Sequence, residues 1–383
     1  MRVELPADFI PFNKPSLAGS ELEYISRALA GGQISGNGEF TGRCQALLEE
    51  ELGVARVLLT TSCTHALEMA ALLLNISAGD EVIVPSFTFV TTVLAFVMRG
   101  ARPVFIDIRP DTLNLDEEQL EGLVTPRTRA VIPVHYGGVG CEMEKITAIA
   151  REHNLFVVED NAHGLFGSFR GRPLGSFGEL ATLSFHETKN FSCGEGGALL
   201  INDPELIERA EVIREKGTDR SRMFRGEVDK YTWIDFGSSY IPSDILAAFL
   251  LAQLEARGRI QAARKTIWEF YFHNLRQWAG ENQTRLPCVP PDREQAYHLF
   301  YLILPSPETR QRLIDHLRQR GIHSVFHYLP LHLSPMGKKL SGNDRACPVT
   351  EEISDRLLRL PFYNDISVRE LARVTEAITD FRI

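Results

Sequence analysis

The stretch "ATLSFHETKNFSCGEGGALLIN", residues 181–202, decides how the sheet of this protein is built. Its ends, "ATLSFHE" and "GGALLIN", are short apolar runs that predict two strands with no helix between them. The segment between the two strands carries one lysine, Lys189, ahead of the glycine-rich "GEGG". Most lysines are solvated surface charges, so this local context alone assigns Lys189 no role.

Upstream of this stretch, short apolar runs alternate with helical periods. Strict alternation of strand and helix predicts a mainly parallel sheet with helices on both faces, and the two adjacent strands at 181–202 break the parallel rhythm. We therefore expect an α/β protein with a mainly parallel, mixed sheet. The predicted strands are "RVLLT", "EVIVP", "PVFID", "RAVIPVHY" and "LFVVED", and the predicted helices are "THALEMAALLLN", "TFVTTVLAFVMRG", "DEEQLEGLV" and "EMEKITAIAREHN".

Downstream of the stretch the pattern becomes mostly helical. A long helix is predicted from Ser243 to about Leu275, and a last helix after Ser367. Between them, "YHLFYLIL" and "HSVFHY" predict strands, and "ETRQRLIDHLRQR" predicts a helix. We expect a large domain, including the N-terminal segment, at 1–254 and a small C-terminal α+β domain at 255–383.

Composition excludes several classes of protein. With 383 residues, 44% of them hydrophobic and 24% charged, the chain can bury a large core. The net charge of −9 provides no basic field for a nucleic-acid partner. No apolar run approaches the roughly 20 residues that cross a bilayer, and the N-terminal sequence lacks a basic segment followed by an apolar one. We expect a cytoplasmic protein whose six cysteines are free thiols.

Polar residues follow three of the predicted strands, at the edge of a parallel sheet where ligands collect. In "TSCTHAL", residues 61–67, small residues at a helix start offer backbone N–H groups to a phosphate, although simple helix capping by Ser62 or Thr64 explains them too. In "VVEDNAH", Asp160 can stabilise a cationic partner such as a protonated pyridine, or can cap a helix. Lys189 follows the third strand, where partial burial would make its amine nucleophilic.

A fourth cluster, "HSVFHYLPLH", contains His323, His327 and His332. We expect no metal site there, because no carboxylate or cysteine stands at a ligand spacing. Histidines that line a substrate cleft are the preferred interpretation. Taken together, a phosphate-binding helix start, an acidic strand end and a later lysine occur in the order expected of a pyridoxal phosphate enzyme.

The sequence also resembles the sugar-nucleotide aminotransferases, a branch of the fold-type I pyridoxal phosphate enzymes, along nearly its whole length. The resemblance rests on "GDEVIVPSFTFVTT", "VHYGG", "VVEDNAHG", "SFHETKN", "GEGGALLIN" and "SDILAAFLLAQLE". It implies a fold-type I transferase with pyridoxal 5'-phosphate as cofactor, and a homodimer with a shared active site. It further implies that Lys189 forms a Schiff base with the cofactor, that Asp160 pairs with the pyridine nitrogen, and that His163 faces the phenolic oxygen.

Other positions are implied by the same resemblance. Phe87 would stack on the cofactor ring. The phosphate would be bound by backbone N–H groups and hydroxyls at Cys63, Thr64 and Ser184. Two positions depart from the family pattern: Cys63 replaces a glycine, and Ser239 replaces an asparagine that reaches the phosphate from the neighbouring subunit. The substrate would contact the glycine-rich loop at Gly36, and His327 and Tyr328.

The reaction implied by the resemblance is a two-stage transfer of an amino group from glutamate to C4 of a nucleotide-linked 4-keto-6-deoxy sugar. The stretches "IPVHYGGVGCEM", "IREKGT", "DKYTW" and "GSSY" are most similar to members that make dTDP-4-amino-4,6-dideoxygalactose for enterobacterial common antigen. Amination at C3, or of another nucleotide sugar, stays open. A dehydratase is disfavoured by Lys189, and a dinucleotide-binding dehydrogenase by the absence of G-x-G-x-x-G. A catalytically silent regulator with this fold is a further alternative.

Overall fold

The computed structural model of the protein describes residues 8–341 and 345–383. This part of the chain forms thirteen α-helices and twelve strands. The helices are α1 (Glu21–Ala30), α2 (Glu39–Leu52), α3 (Cys63–Leu73), α4 (Thr91–Val97), α5 (Met143–Glu152), α6 (Ile207–Arg214), α7 (Arg220–Phe224), α8 (Asp244–Glu255), α9 (Arg257–Glu281), α10 (Pro307–Gln319), α11 (Pro335–Ser341), α12 (Pro348–Arg356) and α13 (Val368–Thr379). The strands are β1 (Arg56–Thr60), β2 (Glu81–Pro85), β3 (Arg102–Ile106), β4 (Thr128–Val131), β5 (Phe156–Asp160), β6 (Ser168–Phe169), β7 (Arg172–Pro173), β8 (Leu180–Ser184), β9 (Gly197–Ile201), β10 (Arg293–Glu294), β11 (Tyr301–Ile303) and β12 (Leu357–Arg359).

Seven strands form the central sheet, in the order β1-β9-β8-β5-β4-β2-β3. Strands β8, β5, β4, β2 and β3 pair in parallel, and β9 runs antiparallel to both of its neighbours, β1 and β8. The stretch at 181–202 accounts for this exception, because β8 and β9 are consecutive and pair from Leu180 with Ile201 to Ser184 with Gly197. The predicted class, α/β with a mainly parallel mixed sheet, is confirmed.

Both faces of the sheet are covered by helices. Val82 and Val84 of β2 pack in a buried cluster with residues of α3 and α4, whereas Ile83 between them packs on the opposite face with Ile146 of α5. This division follows from the two-residue period of a strand. The middle residues of β2 and β5 are therefore apolar on both faces of the sheet, and Asp160 lies at the end of β5.

A separate apolar cluster lies in the C-terminal part of the chain. It joins the inward side of α9, around Tyr271, with α10, α13 and the neighbours of β11 and β12. Ile10 also packs in this cluster, so the N-terminal segment contacts the C-terminal part. The domain division at residues 254 and 255 stays a prediction.

Three predicted elements differ from the structure. The segment predicted as one helix in "DEEQLEGLV" forms two short 3-10 turns, Glu117–Gln119 and Glu121–Leu123, which bury Leu120 and Leu123 together. The long helix predicted from Ser243 is broken at Ala256, where the chain leaves one apolar cluster and enters the C-terminal one.

The third difference is "HSVFHY", which forms no regular strand. Only Val325 makes a bridge, to Arg359 at the end of β12. Phe326, His327 and Tyr328 line a cavity instead, and His323 lies outside it. Across the described ranges, no helix is long and apolar enough to cross a membrane.

Candidate active site

A cavity of about 730 Å³ lies at the carboxyl end of the central sheet. The ends of β5 and β8, the start of α3 and the segment 325–329 that follows α10 all contribute to its wall. Eight residues singled out from the sequence line this one cavity: Cys63, Thr64, Asp160, His163, Ser184, Lys189, His327 and Tyr328.

Lys189 lies in the loop that connects β8 to β9. Its backbone N–H donates to the carbonyl of His186 at 2.9 Å, which turns the side chain into the cavity wall. Burial lowers the pKa of Lys189 to about 8, an effect that Cys63 and Asp160 oppose and the positive charge of Arg359 enhances. A substantial fraction of this amine is neutral near pH 7 to 8, so it can act as a nucleophile and as a base.

The neighbour of Lys189 in sequence, Asn190, fixes the loop. Its amide donates to the carbonyl of Ala296 at 2.6 Å and its oxygen accepts from Nδ1 of His298 at 2.9 Å. Phe191 then packs edge-on against Phe166, with ring centroids 5.1 Å apart. The lysine is thus held from both sides of the cavity rather than on a free loop.

Asp160 is the last residue of β5 and is only 5% exposed. Its Oδ2 accepts from the hydroxyl of Thr92 at 2.7 Å and its Oδ1 from the N–H of Ala162 at 3.2 Å. Glu159 points to the other face, as the strand period requires. There its carboxylate is held by His135 and by backbone N–H groups of Gly175, Phe177 and Gly178. Asp160 is therefore the acidic residue of the pair that is available to a ligand.

The start of α3 forms an anion cradle. Ser62 caps the helix with its side chain, and the N–H groups of Cys63 and Thr64 in the first turn are left without helical acceptors. Gly197 lies directly behind them, where a Cβ would overlap the carbonyl carbon of Ser62 and the nitrogen of Cys63. Because Ser184 pairs with Gly197, its hydroxyl lies beside the same turn. Gly197, at the end of the glycine-rich residues 194–197, therefore allows β9 to approach the cradle.

His163 is a neutral, fixed imidazole. Burial, with the nearby charges of Lys189 and Arg359, lowers the pKa of His163 well below its usual range. Its ring stacks on His298 at 4.2 Å, and its Nδ1 accepts a long hydrogen bond from the N–H of Gly137 at 3.4 Å. The proton of the neutral ring is consequently on Nε2, which can donate to a ligand.

The opposite wall comes from the C-terminal part of the chain. Nδ1 of His327 forms a hydrogen bond of 2.9 Å with the hydroxyl of Tyr136. The hydroxyl of Tyr328 lies 3.5 Å from Nε2 of His163. His332 lies outside this wall and contacts Ser86 and Glu351. Among residues 8–341 and 345–383, no three histidine, cysteine, aspartate or glutamate side chains are grouped so that they could hold a metal ion.

The aromatic residue on the cavity differs from the one expected. Phe87 is 1% exposed and packs behind the wall against Tyr136, with ring centroids 5.2 Å apart. Phe89, two residues later, lines the cavity and is 56% exposed. Phe87 belongs to a buried apolar cluster with Ile108 and Leu299, and its role at the cofactor ring stays a prediction.

Gly36 and Ser239 do not line the cavity of their own chain. Gly36 packs so closely on Ile241 that a Cβ would overlap it, and Ser239 is exposed in a bridge with Glu215. Asn37 links the two segments by donating to the Glu215 carboxylate at 2.6 Å. Both residues therefore lie in one region of the surface, away from the cavity of their own chain, and their predicted roles stay predictions.

The cavity and supporting residues that the sequence did not single out include Phe89, Thr92, His298 and Arg359. His298 stands in a segment whose apolar pattern predicts only a strand, and Arg359 stands in a tail rich in arginine. Phe89 had a detectable signal, because the sequence "SFTF" offers two aromatic residues at alternate positions. Nothing local distinguishes the other three.

A sequence profile of the DegT/DnrJ/EryC1/StrS aminotransferase family matches residues 15–379. The chain belongs to this family. Two relatives are 33% identical to it: the spore coat polysaccharide biosynthesis protein SpsC of Bacillus subtilis, with 97% of each chain covered, and the GDP-perosamine synthase of Caulobacter vibrioides, with 95% of this chain and 96% of the relative covered.

The fold is shared with solved structures of DegT-family aminotransferases. Spr1654 of Streptococcus pneumoniae, assigned as a sugar aminotransferase, is 26% identical in its PLP form, with a TM-score of 0.88 over 97% of this chain and 98% of the other. Pyridoxal phosphate is the cofactor of DegT-family aminotransferases. The cavity fits this group, since it combines a lysine that is partly neutral, a buried carboxylate and an anion cradle whose depth depends on Gly197.

Proposed function

We propose that this protein transfers the amino group of L-glutamate to C4 of a nucleotide-linked 4-keto-6-deoxy sugar. The specific reaction would convert dTDP-4-dehydro-6-deoxy-D-glucose into dTDP-4-amino-4,6-dideoxy-D-galactose, for a surface polysaccharide such as enterobacterial common antigen. The observation that carries amino transfer is the single cavity in which Lys189, with a pKa of about 8, faces Asp160 and the start of α3.

The proposed cofactor contacts follow from these positions. Lys189 would hold pyridoxal phosphate covalently, Asp160 would pair with its ring nitrogen, and Nε2 of His163 would donate to its phenolic oxygen. Phosphate would be bound by the first turn of α3 at Cys63 and Thr64, together with Ser184, and Phe89 takes the ring-stacking role expected of Phe87. When bound, the cofactor supplies a carbonyl carbon that carries the amine and a ring that accepts electrons.

The protein's own contribution is proton transfer and exclusion of water. Once released from the cofactor, Nζ of Lys189 would take the α-proton of glutamate and, in the second stage, deliver a proton to C4 of the sugar. The face from which Nζ approaches C4 would fix the configuration of the amine. His327 and Tyr328, on the wall opposite, would contact the sugar.

A homodimer with a shared active site is part of this proposal. The segment between α6 and α8 exposes large apolar side chains, including Trp233 at 75% and Phe236 at 66%, beside Ser239 and the Gly36 loop. Exposed apolar residues concentrated in one segment indicate an interaction surface. A second copy seated there would bring Ser239, and the loop around Gly36, to the partner's cavity.

A GDP-linked acceptor is the alternative favoured by a specific observation, because two relatives at 30% and 33% identity are GDP-perosamine synthases. Amination at C3 of the sugar and a catalytically silent role stay open as further alternatives.

Incubation with L-glutamate and a panel of nucleotide sugars separates all of these. The panel contains dTDP- and GDP-linked 4-keto sugars and dTDP-linked 3-keto sugars. NMR of the product should show an axial amine at C4 on the dTDP sugar. An equatorial amine, a C3 amine, preference for the GDP sugar or no product would contradict the specific proposal.

A further inference from the structure

His298, in the C-terminal part of the chain, lies on the cavity wall beside the loop that carries Lys189. Its side chain is buried and lines the same cavity as Lys189. Its ring stacks on His163, with centroids 4.2 Å apart, and its Nδ1 lies 2.9 Å from Oδ1 of Asn190, the residue after Lys189. One side chain therefore contacts both the lysine loop and a second residue of the proposed cofactor site.

The contacts of Asn190 fix the direction of its hydrogen bond with His298. The amide nitrogen of Asn190 lies 2.6 Å from the carbonyl of Ala296, so the nitrogen faces that carbonyl and Oδ1 faces His298. An amide oxygen accepts hydrogen bonds and cannot donate them, so Nδ1 of His298 is the donor. Burial is the main cause that lowers the pKa of His298 well below its usual range. The ring is therefore neutral at pH 7, with its proton on Nδ1.

A buried arginine holds the backbone that presents His298. Arg264, on α9, donates from Nε to the carbonyl of Tyr297 at 2.9 Å and from Nη2 to the carbonyl of His298 at 2.6 Å. Tyr297 has a φ of 51°, in the left-handed region that few residues other than glycine adopt. On the other side, the N–H of Ala296 donates to the carbonyl of Gly138 at 2.9 Å. His298 therefore stands on a backbone that is fixed from two directions.

Asn190 is the point at which the lysine loop returns to the protein interior. The two residues directly before Lys189 are exposed, whereas Asn190 is buried. Besides its bond to the backbone, the amide nitrogen of Asn190 lies 3.4 Å from Oε1 of Gln261, and its oxygen accepts from His298. Because Lys189 is the adjacent residue, a change in the position of Asn190 also moves the lysine.

The position of Nζ of Lys189 matters for both the bond to the cofactor and the proton transfers of the proposed reaction. A displacement of about 1 Å from a productive geometry can lower a rate by about 10²-fold. A loop that moves outward would also end the burial that lowers the pKa of this amine to about 8. A contact that holds the loop in place therefore supports the reactivity of the lysine without touching the reacting atoms.

We propose that His298 is a positioning residue for Lys189, and that its Nδ1–H bond to Asn190 holds the loop so that Nζ stays inside the cavity. This inference rests on the proposed function and adds to it the side chain that keeps the amine in place. The stack of His298 on His163 is a separate contact, so a substitution can remove the hydrogen bond and keep a ring at this position.

The test compares His298→Phe, which keeps a ring but has no donor, with His298→Asn, whose amide nitrogen can donate from near the position of Nδ1. His332→Phe is the matched control, because His332 is also 8% exposed and bonded to a side chain, that of Ser86, but lies outside the cavity. Stopped-flow absorbance between pH 6 and pH 10 measures how fast each cofactor-free variant recombines with pyridoxal phosphate. Circular dichroism melting checks that every variant is folded.

In His298→Phe we expect the highest recombination rate to fall about 10-fold, the loss typical of one hydrogen bond. The pH at which the rate levels off should rise above 8, because the amine of Lys189 becomes more solvated. In the loaded enzyme kcat should fall by a similar factor, with the KM for L-glutamate changed less than about twofold. His298→Asn should recover most of the recombination rate, and His332→Phe should match the wild type.

An unchanged recombination profile in His298→Phe would overturn the inference. A His298→Asn variant as slow as His298→Phe would overturn it too, since the ring and not the hydrogen bond would then be responsible. If His298→Phe is unfolded, Asn190→Ala takes its place, because it removes the acceptor of the same bond, and a wild-type rate in that variant would contradict the proposal. Failure of the proposed function would show separately, as a wild type that recombines with pyridoxal phosphate but does not react with L-glutamate.

Discussion

At the scale of single residues, the decisive property is the acidity of the Lys189 amine. Burial lowers its pKa to about 8 from the 10.5 of a free lysine. Only the neutral amine has a lone pair for a carbonyl carbon. The rate at which cofactor-free protein recombines with pyridoxal phosphate should therefore rise about tenfold per pH unit below 8 and level off above it.

Stopped-flow absorbance between pH 6 and pH 10 measures this profile, with circular dichroism as the control for folding. The sign follows from the direction of the shift. An amine whose pKa is lowered reaches its neutral form at lower pH than an ordinary lysine. A rate that continues to rise up to pH 10 would show that Lys189 is solvated, and would remove the main observation behind the proposed chemistry.

Sequence reasoning found single residues where a strand end fixes them and missed those that are brought in from afar. Asp160 ends a predicted strand, so its position at the edge of the sheet followed from the pattern. Ser184 lies inside the predicted strand "ATLSFHE", and the structure ends that strand at Ser184. The role of Phe87 at the cofactor ring stays a prediction, since the structure buries Phe87 against Tyr136 and places Phe89 on the cavity wall, a difference that only packing decides. Arg359 and Lys189 line the same cavity although they lie 170 residues apart in the sequence, and no local pattern indicates that arrangement.

At the scale of elements, we expect the close approach of β9 to the start of α3 to keep the anion cradle in shape. Gly197→Ala would place a methyl group against the backbone of Ser62 and Cys63. We expect a loss of about 1–3 kcal/mol in unfolding free energy, the cost of overpacking a rigid site. Affinity for pyridoxal phosphate should fall at the same time, because the N–H groups of the cradle would be displaced.

Thermal melting and cofactor titration measure the two effects. Gly42→Ala is the control, since Gly42 lies within α2 with open space around its Cβ position, and alanine there should leave stability equal or slightly higher. Wild-type cofactor affinity in Gly197→Ala would mean that the strand does not support the cradle.

Elements were predictable where a hydrophobic period runs through a whole segment. The strands and helices from β1 to β5 follow the alternating pattern, with the exception of the acidic segment that forms 3-10 turns. The hairpin of β8 and β9 was visible because no helix separates the two strands. The strand prediction for "HSVFHY" was wrong, since the apolar residues of this segment face a cavity and not a second strand.

At the scale of the whole molecule, the exposed aromatic segment before α8 should hold two copies together. A double substitution, Trp233→Glu with Phe236→Glu, should produce a monomer, because buried aromatic anchors contribute about 2 kcal/mol or more each at interfaces. If Ser239 contributes to the partner's cavity, the loss of dimerisation should also lower the aminotransferase activity.

Analytical ultracentrifugation measures the association. Val368→Glu is the matched control, because Val368 is 72% exposed on α13 and lies in a different part of the chain. We expect that variant to assemble like the wild type. A double variant that remains dimeric, or a fully active monomer, would contradict the shared active site.

The arrangement of the whole chain was the most predictable feature, since the α/β class follows from alternation alone. The contacts between the C-terminal segment and the sheet edge were not, because they join residues far apart in sequence, such as Tyr136 with His327. The assembly of two copies stays a prediction, because a single chain shows only which apolar side chains are exposed.

The most direct test of amino transfer through Lys189 is the visible absorbance of the purified protein loaded with pyridoxal phosphate. The wild type should be yellow, lose its colour on addition of L-glutamate, and regain it only when dTDP-4-dehydro-6-deoxy-D-glucose is supplied. Lys189→Ala should show neither response, with turnover lowered by at least about 10²-fold. A wild type that keeps its colour in L-glutamate, or a Lys189→Ala variant that still turns over, would contradict the account.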